Sequence, residues 1–403
     1  MTTEVSTSIV RDYFESLGIT GTKEEESFWE DVHTTDPILA EKMNLLITNR
    51  SISKNNVIYE VKNETLPFSL AFASYTGDLH RNYGAWIADK DLKPQRILEI
   101  GCDNGLLACL YARLYPKAEV VGIDLSTAGV ACAEELAAHL GLENVTFHCV
   151  DFTEIGNIFP TGHFDLITSV RCFHEIMGPT PIPQYWKLED YLTEQPTFGP
   201  KGYLSIVTSL LSETGLYLSC ERLENPANTG QWANMLQEAG LYIQWDDSDV
   251  ISFHELDAFK KAPVIIATKY DTGMTTMEGL EMLYTREKDL SKLPGYSLTG
   301  AAAEFLYNQF ENTVFQSGII IDFTNHWYVF RFEIWETTDV LLAYGYGNMG
   351  HRHLDILPKD EWRETEEKRK EFLSQYGDYG EVYHYSSLED RRCKVKKIVR
   401  RNF

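Results

Sequence analysis

The feature that most constrains the fold is a regular alternation of short apolar runs and helical segments that begins at Arg96. The runs RILEIG, AEVVGIDLS and NVTFHCVDF are separated by LLACLYARLYP and AGVACAEELAAHLGL, whose apolar residues recur at helical spacing, and a fourth run, HFDLITSVRCF, follows. Strands that alternate with helices in this way predict crossover units, which build a parallel sheet with helices on both faces. The sequence therefore predicts an α/β fold.

The segments on either side of this pattern differ from it. Residues 1–93 space their apolar residues three and four apart, as in VSTSIVRDYFESLGI and DPILAEKMNLLI, which predicts an N-terminal helical cap. Residues 94–270 hold the alternating pattern. Residues 271–403 combine amphipathic helical segments with a run rich in β-branched and aromatic residues, which predicts a C-terminal α+β module with an antiparallel sheet.

The charge of the chain limits its partners. The 403 residues include 36 basic and 60 acidic side chains, for a formal net charge of −24. Such an acidic chain repels polyphosphate, so nucleic acid is not the expected partner. The one basic stretch, RRCKVKKIVRR at 391–401, is interpreted as a solvated or intersubunit terminus, with an anionic partner as the alternative.

Targeting and redox signals point to the cytoplasm. The first residues lack a basic stretch followed by an apolar core, and no apolar run reaches the roughly 18 residues that would cross a bilayer. Seven cysteines occur without a C-x-x-C pair, which argues against a zinc ribbon or a disulfide framework. We therefore expect a cytoplasmic protein with reduced thiols and no membrane partner.

Acidic residues stand where each of the first three predicted strands ends. Glu99 precedes the glycine turn of RILEIGCDNG, Asp124 ends VVGIDLS, and Asp151 ends HCVDF. Ligands of open parallel sheets bind beyond the carboxyl ends of the strands. A carboxylate at Asp124 can accept both ribose hydroxyls, Asp151 can accept an exocyclic amine, and Phe152 can form an apolar wall. These residues describe an adenosine pocket.

The glycine turn indicates which adenosine-containing cofactor the pocket takes. A dinucleotide site needs G-x-G-x-x-G, yet from Gly101 the chain reads GCDNGL, with Asp103 and Leu106 at the second and third glycine positions. A carboxylate there would repel a pyrophosphate, but it does not oppose a sulfonium and can orient an ammonium group. The sequence therefore predicts S-adenosylmethionine as the cofactor.

Taken together, LEIGCDNG, VVGIDLS, VDF and FDLITSVRCFHEI resemble the class I S-adenosylmethionine-dependent methyltransferases over residues 94–270. The resemblance implies a Rossmann-like, seven-stranded, mostly parallel sheet whose last strand is antiparallel. Asp103 departs from the glycine that many members carry. The implied cofactor-binding residues are Glu99, Gly101, Cys102, Asn104 and Gly105 around the methionine moiety, Asp124 on the ribose, Leu125, Asp151 and Phe152 at the adenine, and Arg171 lining the pocket.

His174 is the candidate catalytic residue. It follows the fourth predicted strand, on the reactive side of the cofactor, and can act as a base or orient the acceptor. The alternative is a histidine that packs or caps the following helix. Glu221 and Arg222 follow the next strand and border the same mouth. No metal is expected, because His351, His353 and Asp355 are interpreted as a polar strand face.

The predicted function is transfer of a methyl group to a small-molecule acceptor by in-line displacement. The sequence SVRC after the fourth strand lacks the Asn/Asp-Pro-Pro-aromatic motif of base methylation, which again disfavours nucleic acid. A protein or peptide methyltransferase that docks its substrate on the C-terminal module is one alternative, and a non-catalytic scaffold is another. That module is expected to recognise substrate or to form a homodimer. The sequence does not specify the acceptor or its accepting atom.

Overall fold

The computed structural model of the chain describes residues 3–21, 24–49, 55–200, 202–223, 225–286, 294–324 and 328–401. They form two compact units. Unit 1 comprises residues 1–180, 199–224 and 235–273, and unit 2 comprises 181–198, 225–234 and 274–403. Two stretches inside the predicted range 94–270 are thus grouped with the C-terminal residues. Among the described residues, no helix is both long and apolar enough to cross a membrane.

The described residues before Arg96 are helical wherever they are regular, as predicted for the cap. Asp36 caps α3 by accepting hydrogen bonds from the N–H groups of Ile38 and Leu39, both at 3.0 Å. Tyr13 and Tyr83 are fully buried in the core that also holds Tyr111 of the α/β region. The helices are α1 (Thr3–Ser16), α2 (Glu25–Thr35), α3 (Pro37–Thr48), α4 (Asn55–Lys62), α5 (Leu66–Ala73) and α6 (Gly77–Asp89).

The sheet of unit 1 has the order β3-β2-β1-β4-β5-β8-β6, with β7 paired to β8. The pairs among β3, β2, β1, β4 and β5 are parallel, and those of β8 are antiparallel. The predicted α/β class and mostly parallel sheet are confirmed. The strands are β1 (Arg96–Ile100), β2 (Glu119–Asp124), β3 (Val145–Cys149), β4 (Phe164–Val170), β5 (Leu211–Cys220), β6 (Tyr242–Ile243), β7 (Asp249–Glu255) and β8 (Ala258–Thr268).

The path of the sheet has the seven strands that the resemblance implies, and one further strand, β7, lies off this path and pairs with β8. β7 and β8 form a hairpin in which Asp249 pairs with Val264 and Glu255 with Ala258. Leu256, in the turn of this hairpin, has a φ of 51°. Glycine or asparagine usually occupies such a position, so the sequence gives no signal for this turn. Glu255 lies at the tip of this hairpin, where it forms an ion pair with Arg171.

A proline and a glycine mark the ends of two helices of this region. α7 ends before Pro116, and Gly141 caps α8 with a φ of 65°. Ser126 caps the start of α8 by accepting a hydrogen bond from the N–H of Gly129 at 3.0 Å. The helices are α7 (Leu106–Leu114), α8 (Thr127–Leu140), α9 (Phe173–Met177), α10 (Leu188–Glu194), α11 (Tyr203–Leu210) and α12 (Pro226–Glu238), and a 3-10 helix spans Phe152–Asn157.

Unit 2 contains the predicted antiparallel sheet, in the order β14-β10-β11-β12-β13-β9. One face packs Leu306 of α14 against Tyr344, and the other packs Phe372 of α15 against Phe330 and Phe332. The strands are β9 (Ser297–Thr299), β10 (Val314–Phe323), β11 (Val329–Glu336), β12 (Val340–Gly347), β13 (Arg352–Pro358) and β14 (Gly380–Tyr385). Besides α10 and the first part of α12, unit 2 contains the helices α13 (Thr276–Thr285), α14 (Gly300–Gln309), α15 (Trp362–Tyr376) and α16 (Leu388–Arg401).

The basic stretch at 391–401 lies on α16, and its first residue is bound within unit 2 rather than fully solvated. Arg391 pairs with the buried Glu333 at 2.8 Å. Glu333 also accepts hydrogen bonds from the hydroxyl of Tyr385 at 2.5 Å and from the indole of Trp335 at 3.1 Å. Three donors therefore stabilise one buried carboxylate.

His353 and Asp355 lie on β13, and His351 directly precedes this strand. His353 Nε2 is 2.8 Å from Asp355 Oδ2, and Lys368 Nζ is 3.7 Å from Asp355 Oδ1. No cluster of three or more histidine, cysteine or acidic side chains suited to a metal ion occurs among the residues described.

Candidate functional site

The turn after β1 is held tightly against the end of β2. The N–H groups of Gly101 and Cys102 both donate to the carbonyl of Ile123 at 2.9 Å. Gly101, Asp103 and Gly105 adopt positive φ angles of 70°, 50° and 75°. Glycine adopts this conformation without strain, and aspartate is one of the few other residues that tolerate it. The backbone of the turn can therefore approach closely a ligand that binds at the strand ends.

Gly101 is required for a close approach between the ends of β1 and β4. A Cβ atom built on it would lie 2.5 Å from Cys172 Cβ and 3.2 Å from Cys172 Sγ. The contact involves a Cβ that moves only with its backbone, so neither side can yield cheaply. Gly105 is similarly confined, because its added Cβ would lie 2.7 Å from Ala133 Cβ.

We predict that Gly101→Ala lowers the free energy of unfolding by about 1–3 kcal/mol, because it combines overpacking with a positive φ. Gly141→Ala is the matched control, since Gly141 has a φ of 65° with no atom within 4 Å of the added Cβ. The difference between the two variants in a denaturant titration isolates the clash. Equal losses would show that the approach of Cys172 is not limiting.

Glu99 is 3% exposed, and its Oε2 atom has no hydrogen-bond partner among the described residues. Burial raises the pKa of its carboxyl well above the usual value, and a hydrogen bond from the backbone of Ala108 offsets this only in part. A buried, unsatisfied carboxylate oxygen is costly unless a ligand or water satisfies it. Its place beneath the glycine turn suits a cationic amino group.

Because the folded-state pKa of Glu99 is raised, its carboxyl destabilises the fold increasingly as pH rises above the unfolded value near 4.5. We predict that the free energy of unfolding of Glu99→Gln exceeds that of the wild type by about 1–3 kcal/mol at pH 8, as measured by denaturant titration. This difference should shrink towards pH 5. Glu119→Gln, at the exposed start of β2, should show no such pH dependence. A difference that stays constant with pH would contradict the assignment.

Asp124 lies at the end of β2 with both carboxylate oxygens oriented by backbone donors. Its Oδ2 accepts a hydrogen bond from the N–H of Asp103, and its Oδ1 from the N–H of Ser126, both at 2.8 Å. Burial and the nearby Asp103 carboxylate raise the pKa of Asp124. Each oxygen retains a second lone pair, so the carboxylate can still accept both hydroxyls of a ribose.

The predicted adenine residues lie at the ends of β2 and β3. Leu125 is 60% exposed, which leaves an apolar side chain beside Asp124. Phe152 is buried and packs edge-on against Phe173, with ring centroids 5.7 Å apart. Asp151 Oδ1 accepts hydrogen bonds from the N–H and the hydroxyl of Thr153 at 2.8 and 2.6 Å, and these bonds lower its pKa. Asp151 therefore caps the 3-10 helix, whatever else it binds.

Two predicted residues of the glycine turn direct their side chains into the protein. Asn104 is buried and donates to the hydroxyl of Ser69 at 2.8 Å. Cys102 is buried, and burial raises the pKa of its thiol well above the usual value, so the thiol stays protonated. At these two positions, the backbone is the part available to a cofactor.

The N-terminal helices supply contacts to the turn that the sequence did not indicate. Lys62 forms an ion pair with Asp103, and Asn63 Nδ2 donates to Asp103 Oδ1 at 2.7 Å. Burial alone would raise the pKa of Asp103, but Lys62 and Asn63 outweigh it and hold the pKa below its usual value. These residues precede the turn by about forty positions, and a single lysine on a short helix gives no signal in the sequence.

His174 lies on α9, directly after β4, with its side chain largely buried. Its Nε2 is 3.0 Å from Glu175 Oε1, in a geometry that makes no hydrogen bond. Neither ring nitrogen has a hydrogen-bond partner within the part of the chain that the structure describes. The neighbouring Glu221 is also buried and accepts a hydrogen bond from the N–H of Phe173 at 3.1 Å.

Arg171 has a φ of 53° and directs its side chain to the β7–β8 hairpin. It forms an ion pair with Glu255, and its guanidinium carbon lies 5.6 Å from the ring centroid of Phe253. Lys260 joins the same carboxylate at 2.9 Å. The prediction that Arg171 lines the cofactor pocket therefore concerns a side chain already paired with an acid.

His80 on α6 is a second histidine near this edge that the sequence did not single out. Burial, with Arg171 and Lys62 nearby, lowers the pKa of His80 to about 4. Its ring is therefore neutral at physiological pH. Its Nδ1 is buried and has no hydrogen-bond partner among the described residues.

The residues present fit S-adenosylmethionine. The ribose can be bound by the two oriented oxygens of Asp124, and the adenine has the exposed Leu125 beside it. The unsatisfied Oε2 of Glu99 matches a positively charged amino acid end. A pyrophosphate, by contrast, would meet the carboxylate of Asp103 in the turn.

Part of the chain is similar to known methyltransferases. A family model described as a methyltransferase domain matches residues 92–271. An uncharacterized protein, RP789, of Rickettsia prowazekii (strain Madrid E) is 32% identical over 117 residues, which cover 29% of this chain and 20% of that protein. The malonyl-[acyl-carrier protein] O-methyltransferase of Paenibacillus sp. (strain JDR-2) is 29% identical over 161 residues, covering 38% and 58%. The chain thus spans between a fifth and three fifths of these relatives.

A solved structure of a SAM-dependent methyltransferase from Aquifex aeolicus aligns with 43% of this chain and 81% of its own, at 18% identity and a TM-score of 0.30. The family match covers the parallel sheet and its strand-end acids. Residues 92–271, which contain the mostly parallel sheet, are therefore similar to methyltransferase domains.

Proposed function

We propose that this protein transfers a methyl group from S-adenosylmethionine to a small-molecule acceptor by in-line displacement. The observation that carries the proposal is the oriented carboxylate of Asp124, which two backbone N–H groups hold beside the glycine turn. When bound, S-adenosylmethionine supplies an electrophilic methyl group on a sulfonium. The protein's task is then to align an acceptor and to exclude water.

His174 is proposed to orient the acceptor or to take its proton. A largely buried imidazole whose two nitrogens lack hydrogen bonds among the described residues can take a partner that an acceptor hydroxyl or amine would provide. The buried carboxylate of Glu221 is close enough to interact electrostatically with this imidazole. Replacement of His174 should therefore lower kcat more than it weakens cofactor binding.

A small-molecule acceptor is supported by the net charge of −24, which disfavours nucleic acid, and by a relative named as a ubiquinone biosynthesis O-methyltransferase. On this proposal, residues 1–93 cap the site, 94–270 bind the cofactor, and 271–403 recognise the acceptor or form a homodimer. The cytoplasmic location is part of the same proposal.

The test is isothermal titration of the purified protein with S-adenosylmethionine, S-adenosylhomocysteine and NAD in parallel. We expect the first two to bind and NAD not to bind. Binding of NAD alone would overturn the proposal in favour of a redox enzyme.

The acceptor class is tested by deleting the gene and comparing small metabolites with methylated proteins. Accumulation of an unmethylated metabolite supports the proposal, whereas loss of a methylated protein favours a protein substrate. Tight cofactor binding with no change in either pool would favour a non-catalytic scaffold.

A further inference from the structure

One short segment, residues 59–63 at the end of α4, contacts the turns after three different strands of the parallel sheet. Lys62 and Asn63 bind Asp103 after β1. Glu60 Oε1 accepts a hydrogen bond from the hydroxyl of Ser126 after β2 at 2.9 Å. The hydroxyl of Tyr59 donates to Glu175 Oε1 after β4 at 3.2 Å.

A second set of contacts fixes the segment from behind. Asn63 Oδ1 accepts a hydrogen bond from the hydroxyl of Ser69 at 2.5 Å, and Ser69 in turn accepts one from Asn104 at 2.8 Å. The thiol of Cys132 on α8 lies 3.1 Å from the carbonyl oxygen of Asn63. Asn63 is buried, so these bonds are shielded from water.

The contact of Lys62 with Asp103 has a direct consequence for Asp124. The backbone N–H of Asp103 donates to Asp124 Oδ2, so the conformation of the Asp103 residue sets the orientation of the ribose-binding candidate. Asp103 has a φ of 50°, and the free-energy cost of this conformation must be offset by contacts with surrounding residues. The ion pair with Lys62 and the hydrogen bond from Asn63 to the Asp103 carboxylate stabilise that conformation.

The positive charge of Lys62 also acts on the two carboxylates of the turn. The carboxylates of Asp103 and Asp124 repel each other, and the charge of Lys62 acts on both in the opposite direction. The Lys62 side chain is only 13% exposed, so solvent screens this interaction weakly. Without the ammonium group, two acids would face each other across the turn uncompensated.

We propose that Lys62 is a positioning residue that fixes the ribose-binding carboxylate of Asp124 by holding Asp103. Asp103 is then the residue through which the N-terminal helices set the geometry of the turn. The inference rests on the proposed cofactor and adds a role for a residue outside the methyltransferase domain.

The experiment measures the binding of S-adenosylhomocysteine and of adenosine to the wild type and to Lys62→Met by calorimetry. Because both ligands contain the ribose, both affinities should fall by a similar factor, at least about ten-fold. Lys62→Arg should restore most of the affinity. Lys42→Met is the matched control, since Lys42 pairs with Glu64 at 3.4 Å on the exposed side of the same helical region.

A double-mutant cycle with Asp103→Asn, which keeps the positive φ accessible, should show that the two changes are not additive. If S-adenosylhomocysteine weakens and adenosine does not, Lys62 acts at the methionine end and the positioning role is overturned. Equal affinities in wild type and Lys62→Met overturn it as well. If the wild type binds neither ligand, the proposed function fails instead. Thermal unfolding of each variant confirms that it is folded.

Discussion

Asp124→Ala is expected to lower the affinity for S-adenosylhomocysteine by about 100-fold or more. The carboxylate is oriented by the N–H groups of Asp103 and Ser126, and it would accept two hydroxyl hydrogen bonds from the ribose. Hydrogen bonds to a charged group contribute about 1.5–3 kcal/mol each, so losing both accounts for a factor of this size. Calorimetric titration at fixed ionic strength measures the change directly.

The control for this variant is Glu119→Ala, which removes an acid from the exposed, opposite end of the same strand. It should leave the affinity within about two-fold of the wild type. Asp124→Asn retains a carbonyl acceptor for one backbone N–H group, so it separates loss of ligand contacts from collapse of the turn. An unchanged affinity in Asp124→Ala would remove Asp124 from the site.

The second large effect is expected in unit 2, where Arg352→Met should lower the free energy of unfolding by about 3–5 kcal/mol. The guanidinium of Arg352 is buried and pairs with Glu304 at 2.8 Å. It also donates to the carbonyl oxygens of three residues, namely Gly347, His351 and Trp186. Removing it leaves the buried Glu304 carboxylate unpaired together with these carbonyl groups.

Denaturant unfolding followed by circular dichroism measures the loss, and hydrogen exchange of the amides in β12 and β13 localises it to this sheet. Arg363→Met is the control, because the Arg363 side chain is 93% exposed and pairs with Glu367 at 3.3 Å. An exposed pair of this kind contributes less than about 1 kcal/mol. A loss below about 1 kcal/mol in Arg352→Met would mean that water replaces the guanidinium.

The strand-end acids illustrate what pattern alone can predict. Glu99 and Asp124 each terminate an apolar run, and parallel strands place their carboxyl ends at one edge of a sheet. The structure accordingly brings both acids to the turn after β1. Their binding of cofactor stays a prediction, but their placement follows from alternation and from the glycines between them.

Other side chains at the same edge depended on contacts that local pattern does not encode. The sequence predicts Asp151 as an adenine ligand, which stays a prediction, and the structure adds that Asp151 caps a 3-10 helix through Thr153. The sequence likewise predicts Arg171 at the pocket, and the structure adds an ion pair with Glu255 on a hairpin that the sequence did not reveal. A strand-end position predicts where a backbone lies, and the partner of the side chain is decided by what packs above it.

The sequence by itself determined the α/β class and the acidic residues that end the parallel strands, because hydrophobic period and glycine placement act over a few neighbouring residues. From the same local pattern it predicts the kind of cofactor. Only the tertiary structure decided that Lys62, Asn63 and His80 lie at the site. These residues reach it through the packing of separate helices, and packing is a property of many distant side chains at once. The hydrophobic periodicity of a single segment therefore does not predict how separate helices pack.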